Sequence, residues 1–220
     1  MLDLGSPLTI IGIIAAVGLL RVIYTVWQAS PGRALMLEMC DSLLIAFALV
    51  FLLIKPFVVA AFYIPSESMK PTLMVRDRVL VNKFIYRLTA PRRQDIIVFD
   101  APPRAVQATL DHKQKDFIKR LIGLPGDRIQ IRRFDGVYIN GKKLDEPYIG
   151  PLQTPDYDYP VDVEGRLLPP QELPPGDYFV MGDNRRDSND SHIWGFLPRR
   201  YVLGKAMVIF WPPGRLGLAR

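Results

Sequence analysis

Two long apolar runs open the chain, and shorter alternating segments follow them. Leu8 to Trp27 and Leu43 to Tyr63 hold much of the hydrophobic content, whereas the residues after Ile64 mix apolar and charged positions as a water-soluble domain does. From Leu43 to Ile54 ten residues are Leu, Ile, Val or Phe, each favouring the centre of a spanning helix by about 0.3–0.6 kcal/mol. Continued through Phe57, Val58 and Val59 to Phe62, with Pro56 as a kink, this run reaches the roughly 20 residues that a bilayer requires. Lys55 stands near its end, where the long stem carries the ammonium to the interface. The first run contains Gly12, Gly18 and Arg21; it predicts a second span, with a helix lying in the interface as the alternative. A cleavable leader fits poorly, because Asp3 stands where a basic cluster belongs and no small-x-small site precedes a mature sequence.

After Tyr63 the period shortens. Arg78 to Val81, Asp95 to Phe99, Phe117 to Ile122, Arg128 to Ile131, Val137 to Ile139, Tyr178 to Met181 and Lys205 to Phe210 read as strands, and helical periodicity is nearly absent. Asn140-Gly141 after Val137-Tyr138-Ile139 predicts a tight hairpin, and Asp135-Gly136 another turn. Prolines crowd between Pro147 and Pro175, which predicts a loop-rich excursion. The sequence therefore predicts a mostly β protein: an antiparallel sheet or barrel-like domain with a small inserted β subdomain, preceded by one or two transmembrane helices. Its domains are a membrane anchor over 1–63, with spans at about 8–27 and 43–63 and a short cytoplasmic loop between, and a catalytic domain over 64–220 with the insert at about 132–176.

Charge refines this picture. The chain has 28 Lys and Arg against 22 Asp and Glu. Before Ile64, Arg21, Arg33 and Lys55 balance Asp3, Glu38 and Asp41, so the excess lies in the later domain, where it favours anionic headgroups. Its basic residues are scattered among prolines and acids without a nucleic-acid motif, so no nucleic-acid partner is expected. Arg21 and Arg33 border the loop between the apolar runs; the positive-inside bias puts that loop in the cytoplasm and the large domain outside the cytoplasmic (inner) membrane. Cys40 is the only cysteine, which excludes an intrachain disulfide, and its place beside an apolar run suits inert packing. With only His112 and His192, no histidine-based metal site is expected, and no nucleotide loop implies a cofactor.

The candidate chemistry lies in three blocks: Ile64-Pro65-Ser66-Glu67-Ser68-Met69-Lys70-Pro71-Thr72-Leu73, then Phe117-Ile118-Lys119-Arg120-Leu121-Ile122-Gly123, then Met181-Gly182-Asp183-Asn184-Arg185-Arg186-Asp187-Ser188-Asn189-Asp190-Ser191-His192. From about Phe57 to Phe210, in order and behind an apolar run, the chain resembles the bacterial type I signal peptidases, serine proteases with a Ser/Lys dyad. The resemblance implies a membrane-bound endopeptidase that removes N-terminal signal peptides from exported preproteins. Ser68 would be the nucleophile and Lys119 the general base. Ser66 would supply an oxyanion-hole hydroxyl beside the Ser68 amide, and Ser188 would orient the Lys119 amine. Phe62, Ile64, Pro65, Leu73, Phe117 and Ile118 would line pockets for small side chains. Preproteins, the bilayer and the export machinery are the implied partners. Arg186 and Asp187 depart from the family's commonest form, in which an acidic or amide residue and then Asn are usual.

The residues carry part of this independently. A serine hydroxyl needs a neighbouring base, and a neutral lysine amine can serve. Since an exposed Lys titrates near 10.4, the site must be apolar enough to lower it by two or three pH units, at roughly 3–4 kcal/mol. Strand alternation puts Lys119 with Phe117 and Leu121 on one face and Arg120 with Ile118 and Ile122 on the other. Arg cannot lose its proton, so of these two only Lys119 can serve as the base that the resemblance implies, and Arg120 is expected to pair with a carboxylate such as Asp183. Lys70 is a rival base, because a strand would put it on the face of Ser68. His192 is read as structural, paired with Asp190. A self-cleaving SOS-repressor-like Ser/Lys protease and an inactive membrane-tethered binding protein are the competing readings; the first lacks its Ala-Gly or Cys-Gly cleavage site here, and the second leaves Ser68, Lys119 and Ser188 unexplained.

Overall fold

A computed structural model describes residues 7–26, 33–50, 59–107, 116–150 and 153–220. The chain forms two compact units, Met1–Val58 and Val59–Arg220.

In the first unit, helix α1 (Pro7–Val26) occupies the first apolar run and α2 (Arg33–Ala48) begins the second. An ion pair between Arg21 and Asp41 ties them together, and Cys40 is a buried free thiol. Leu19, Leu20, Val22 and Ile23 on α1 and Leu43 and Ile45 on α2 are exposed. Among the described residues no helix is long and apolar enough to cross a membrane. Part of the expected second span, 51–58, lies outside the described residues.

The end of that run has a different structure from the one expected. Val59–Tyr63 is strand β1, not the end of a helix, and it pairs antiparallel with β2 (Arg78–Asn82), Phe62 facing Val79 across the ladder. The second unit thus starts at Val59, several residues before the expected boundary at 64. A short apolar run reads alike as a buried strand or a helix turn, and here Phe62 packs against the core residues Ile64, Val79 and Val81.

The remaining strands of the second unit are β3 (Ile96–Asp100), β4 (Asp116–Gly123), β5 (Arg128–Arg132), β6 (Gly136–Ile139), β7 (Lys142–Lys143), β8 (Gln171–Glu172), β9 (Asp177–Met181), β10 (Leu197–Pro198), β11 (Val202–Trp211) and β12 (Gly217–Leu218). Three short helices join them: α3 (Ile85–Leu88), α4 (Pro103–Gln107) and α5 (Ser191–Trp194). The main sheet runs β1-β2-β11-β3-β4-β9-β10, with β12 beside β11. Every pairing in it is antiparallel. It remains an open half-barrel, with β1 and β10 at its edges. A second sheet, β7-β6-β5-β8, is inserted between β4 and β9.

This insert starts at Arg128, before the expected 132. Ile129 and Ile131 of β5 pack with Phe179 and Met181 of β9 in one core, so the strand belongs to the small sheet while its side chains bind that sheet to the large one. Asn140 (φ 52°) and Gly141 (φ 79°) make the β6–β7 hairpin turn, a left-handed pair that Asn-Gly adopts at low cost. β4 is buried from Phe117 to Gly123. It lies between β3 and β9, where Lys119 pairs with Ile97, and Arg120 pairs with Ile96 and Met181. A lysine and an arginine are thereby fixed in the driest strand of the sheet.

Candidate active site

Ser68 sits in a loop that the sheet closes tightly. Ile64 N–H donates to Asp77 O and Arg76 N–H to Ile64 O, each at 2.9 Å, and Met69 and Leu73 are fully buried as anchors. Asp77 is itself buried and accepts from Arg215 Nε and Nη2 at 2.9 Å, while Arg215 Nη2 also donates to Thr72 O at 3.1 Å. Sequence reasoning missed Arg215; a lone arginine near a chain end carries no signal of its partner.

β4 brings Lys119 to this loop. Its Nζ lies 2.6 Å from Ser68 Oγ as hydrogen-bond donor, and both residues are buried. Ser66 Oγ stands 3.2 Å from Ser68 Oγ. Burial pushes the Lys119 amine down to about 8, against the opposing pull of the carboxylates Asp190, Asp183 and Asp187. That fall makes a lysine usable as a base near neutral pH. Lys70, the rival, forms an ion pair with Glu67 at 2.7 Å.

The segment after β9 forms the opposite wall. Asn184 N–H donates to Ser68 O at 3.1 Å. Gly182 is packed so closely that a Cβ there would stand 2.3 Å from both Ser68 O and Ser188 Oγ. Ser188 is buried beside it, yet its hydroxyl has no partner in hydrogen-bonding geometry among the described residues; its polar neighbour is the Asp190 carboxylate. The expected bond from Ser188 to the Lys119 amine is not formed.

The expected side-chain partners meet. Arg120 Nε and Nη2 grip Asp183 at 2.8 and 2.6 Å, and Thr72 Oγ1 donates to the same carboxylate at 2.5 Å. Asp190 accepts from Gly182 N–H at 2.9 Å and lies 2.7 Å from His192 Nδ1, whose ring stacks on Tyr157 at 3.9 Å. Burial works against ionisation of Asp190, but His192 and the Gly182 amide hold its carboxyl below the usual carboxylate range. Arg185, given no role from sequence, is fully buried, donating to Gly182 O at 3.0 Å and to Glu146 at 2.8 Å. The acidic partner comes from the insert, 39 residues away, so nothing local announced the pair.

Two hollows meet at Phe117. A cleft of about 190 Å³ is lined by Ser66, Glu67, Ser68, Phe117, Lys119, Asp187 and Asn189. A groove of about 350 Å³ runs along Ala61 to Pro65 and Asp116 to Ile118, with Val98 as floor. Of the residues expected at a substrate pocket, Phe62, Ile64, Pro65, Phe117 and Ile118 line this groove. Leu73 does not: it is fully buried in the core beneath the Ser68 loop. Among the described residues no group of three or more His, Cys, Asp or Glu is placed to hold a metal ion.

A serine hydroxyl held against a buried lysine amine, with no histidine lining the cleft among the described residues, is the constellation that a Ser/Lys hydrolase requires. The family model for signal peptidase, peptidase S26, matches residues 36–211. The chain belongs to that family. It is 44% identical over 191 residues to a probable signal peptidase I-2 of Synechocystis sp., covering 87% of this chain and 80% of that relative. It is 46% identical over 164 residues to signal peptidase I of Leptolyngbya laminosa, 74% of each chain. Signal peptidase I of Bacillus caldolyticus is 38% identical over 167 residues, 72% of this chain and 83% of the relative.

Proposed function

We propose that the chain is a membrane-tethered serine endopeptidase that cuts N-terminal signal peptides from exported preproteins. The observation that carries this reading is the 2.6 Å contact between the Lys119 amine and Ser68 Oγ in a buried site. The neutral amine accepts the Ser68 proton as the hydroxyl attacks the scissile carbonyl. The same proton then goes to the leaving amine, and a water repeats the sequence on the acyl-enzyme. The oxyanion is met by the Ser68 amide and the Ser66 hydroxyl. Ser188, buried beside Gly182, is the residue assigned to orient the amine. In an extended substrate, apolar small side chains before the cut occupy the groove along β1 and β4 and the cleft beside Phe117, where size discrimination is about 1–3 kcal/mol per methylene.

Orientation at a bilayer supplies the rest of the selectivity. The apolar first unit is the anchor, and the catalytic unit stands on the extracytoplasmic face of the cytoplasmic membrane, where the export machinery delivers precursors. The exposed apolar side chains of α1 and α2 support this reading, as does the short chain distance from Val59 to Ser68, at most about 30 Å extended. The test is cleavage of a purified preprotein by detergent-solubilised wild type, Ser68→Ala, Lys119→Ala and Lys70→Ala. Loss in the Ser68 and Lys119 variants alone is expected. Loss in Lys70→Ala with activity kept in Lys119→Ala would move the base to Lys70, and no cutting by wild type would sink the protease reading.

A further inference from the structure

The two peptide units that flank the Ser68 Cα are both held by Asn184. Its N–H donates to Ser68 O at 3.1 Å, and its side-chain Nδ2 donates to Glu67 O at 3.2 Å. Glu67 O also accepts from Lys70 N–H at 3.0 Å. That bond closes a turn inside the Ser68 loop, whereas both Asn184 bonds reach the loop from the segment that follows β9. Asn184 is itself firmly seated. Arg120 grips Asp183 before it, the fully buried Arg185 after it donates to Gly182 O and to Glu146, and its own carbonyl accepts from Asp187 N–H at 3.1 Å.

We propose that Asn184 is a positioning residue for the oxyanion site: by holding Glu67 O and Ser68 O it sets the direction of the Ser68 N–H, and so how well that amide meets the charge developing on the scissile carbonyl. Glu67 C=O and Ser68 N–H belong to one planar peptide unit, so a bond that fixes the oxygen fixes the line along which the N–H points. A bond accepted at the oxygen also polarises the unit and strengthens its donor end. The Ser68 N–H makes no backbone hydrogen bond among the described residues, which leaves this donor for substrate. A donor aimed before the reaction needs no reorganisation during it, and this is where such a donor gains its effect. Removing the Asn184 side chain deletes the bond to Glu67 O and leaves the backbone bond to Ser68 O in place.

This inference rests on Ser68 being the nucleophile. The experiment measures kcat and KM for preprotein cleavage by the full chain in detergent, for wild type, Asn184→Ala and the similarly sized, apolar Asn184→Leu, with Ser68→Ala beside them. Binding of a peptide aldehyde ending in Ala is compared with that of the matching peptide alcohol. Ser68 Oγ–H adds across the aldehyde C=O, oxygen to carbon and proton to oxygen, giving a hemiacetal whose oxygen occupies the oxyanion site; the alcohol binds without that bond. Both Asn184 variants are expected to lose about tenfold in kcat, less than for a donor removed outright, with KM little changed. Aldehyde binding should weaken by the same factor, alcohol binding should not change, and the acidic limb of the pH profile should stay where it is in wild type. A KM or an alcohol affinity that worsens as much as kcat overturns the proposal in favour of substrate contact, and full activity in Asn184→Leu alone traces the effect to packing and overturns it too. A shifted acidic limb overturns it by routing the effect through Lys119. Activity retained in Ser68→Ala overturns the nucleophile assignment, and with it the proposal; loss there with wild-type kcat in both Asn184 variants overturns the proposal alone.

Discussion

Replacing Lys119 with Met should stabilise the protein at neutral pH while abolishing catalysis. The amine titrates at about 8 in the fold against 10.5 when free, a gap worth about 3 kcal/mol at 1.36 kcal/mol per pH unit. The sign follows from proton counting. Below about pH 8 both folded and unfolded chains carry the proton, and the folded state bears the full cost of a buried ammonium. Between 8 and 10.5 the unfolded chain binds a proton that the folded one does not, so stability rises with pH; above that range the cost is gone. Methionine fills a similar volume without charge but forfeits the bond to Ser68 Oγ, a loss of about 1 kcal/mol at every pH. Lys119→Met should therefore exceed wild type by about 2 kcal/mol at pH 7 and fall about 1 kcal/mol below it above pH 10.5. Urea unfolding of both proteins in the same detergent across that range reads the difference. Tyr86, Tyr148 and Tyr157, all pushed up first of all by burial, are common to both chains and cancel. A difference that does not change with pH, or wild type the more stable at pH 7, would refute a buried, depressed lysine.

Three further outcomes follow from the walls of the site. Gly182→Ala places a methyl 2.3 Å from Ser68 O; the backbone must move, and a roughly 100-fold fall in kcat is expected from misplacing the nucleophile. A crystal structure with Ser68 unmoved would contradict the argument. Asp183→Ala leaves the buried Arg120 guanidinium unpaired and should cost about 3–5 kcal/mol, with much of it recovered in the Arg120→Met/Asp183→Ala double variant; equal losses in the single and double variants by urea unfolding would show that the pair is not the cause. On the role proposed for Ser66 as an oxyanion donor, Ser66→Ala should lower kcat by about 100-fold with KM little changed, whereas a change confined to KM would assign Ser66 to substrate binding instead.

The strands were legible because their punctuation is local. β2, β5, β6 and β9 fall within a residue or so of where alternation and the Asn140-Gly141 turn put them. β1 was not, since Val59–Tyr63 continues an apolar run without a break and only its partner Arg78–Asn82, met later in the chain, makes it a strand. The start of the insert was misjudged for a similar reason. Ile129 and Ile131 alternate alike whichever sheet they join, and membership is decided by pairing with Val137 and Ile139.

The site divides along the same line between local and distant information. Arg120 facing Asp183 could be deduced because a buried, permanently charged strand residue must find a carboxylate, and the structure places the two in bidentate contact. The Ser68 and Lys119 pairing came only with the resemblance, since a serine in a Pro-rich turn and a lysine in a strand are each unremarkable alone. Leu73 is a pocket residue only by the resemblance; the Met69 carbonyl accepts its N–H, and its side chain is buried in the core instead. Arg215, Arg185 and Glu146 were invisible because each matters through a partner from another part of the chain. What the sequence conveys well is therefore a residue's own requirement, such as a buried guanidinium needing a counter-charge. What it conveys poorly is which of several distant groups meets that requirement, and that choice fixes the position of Ser68 against the amine.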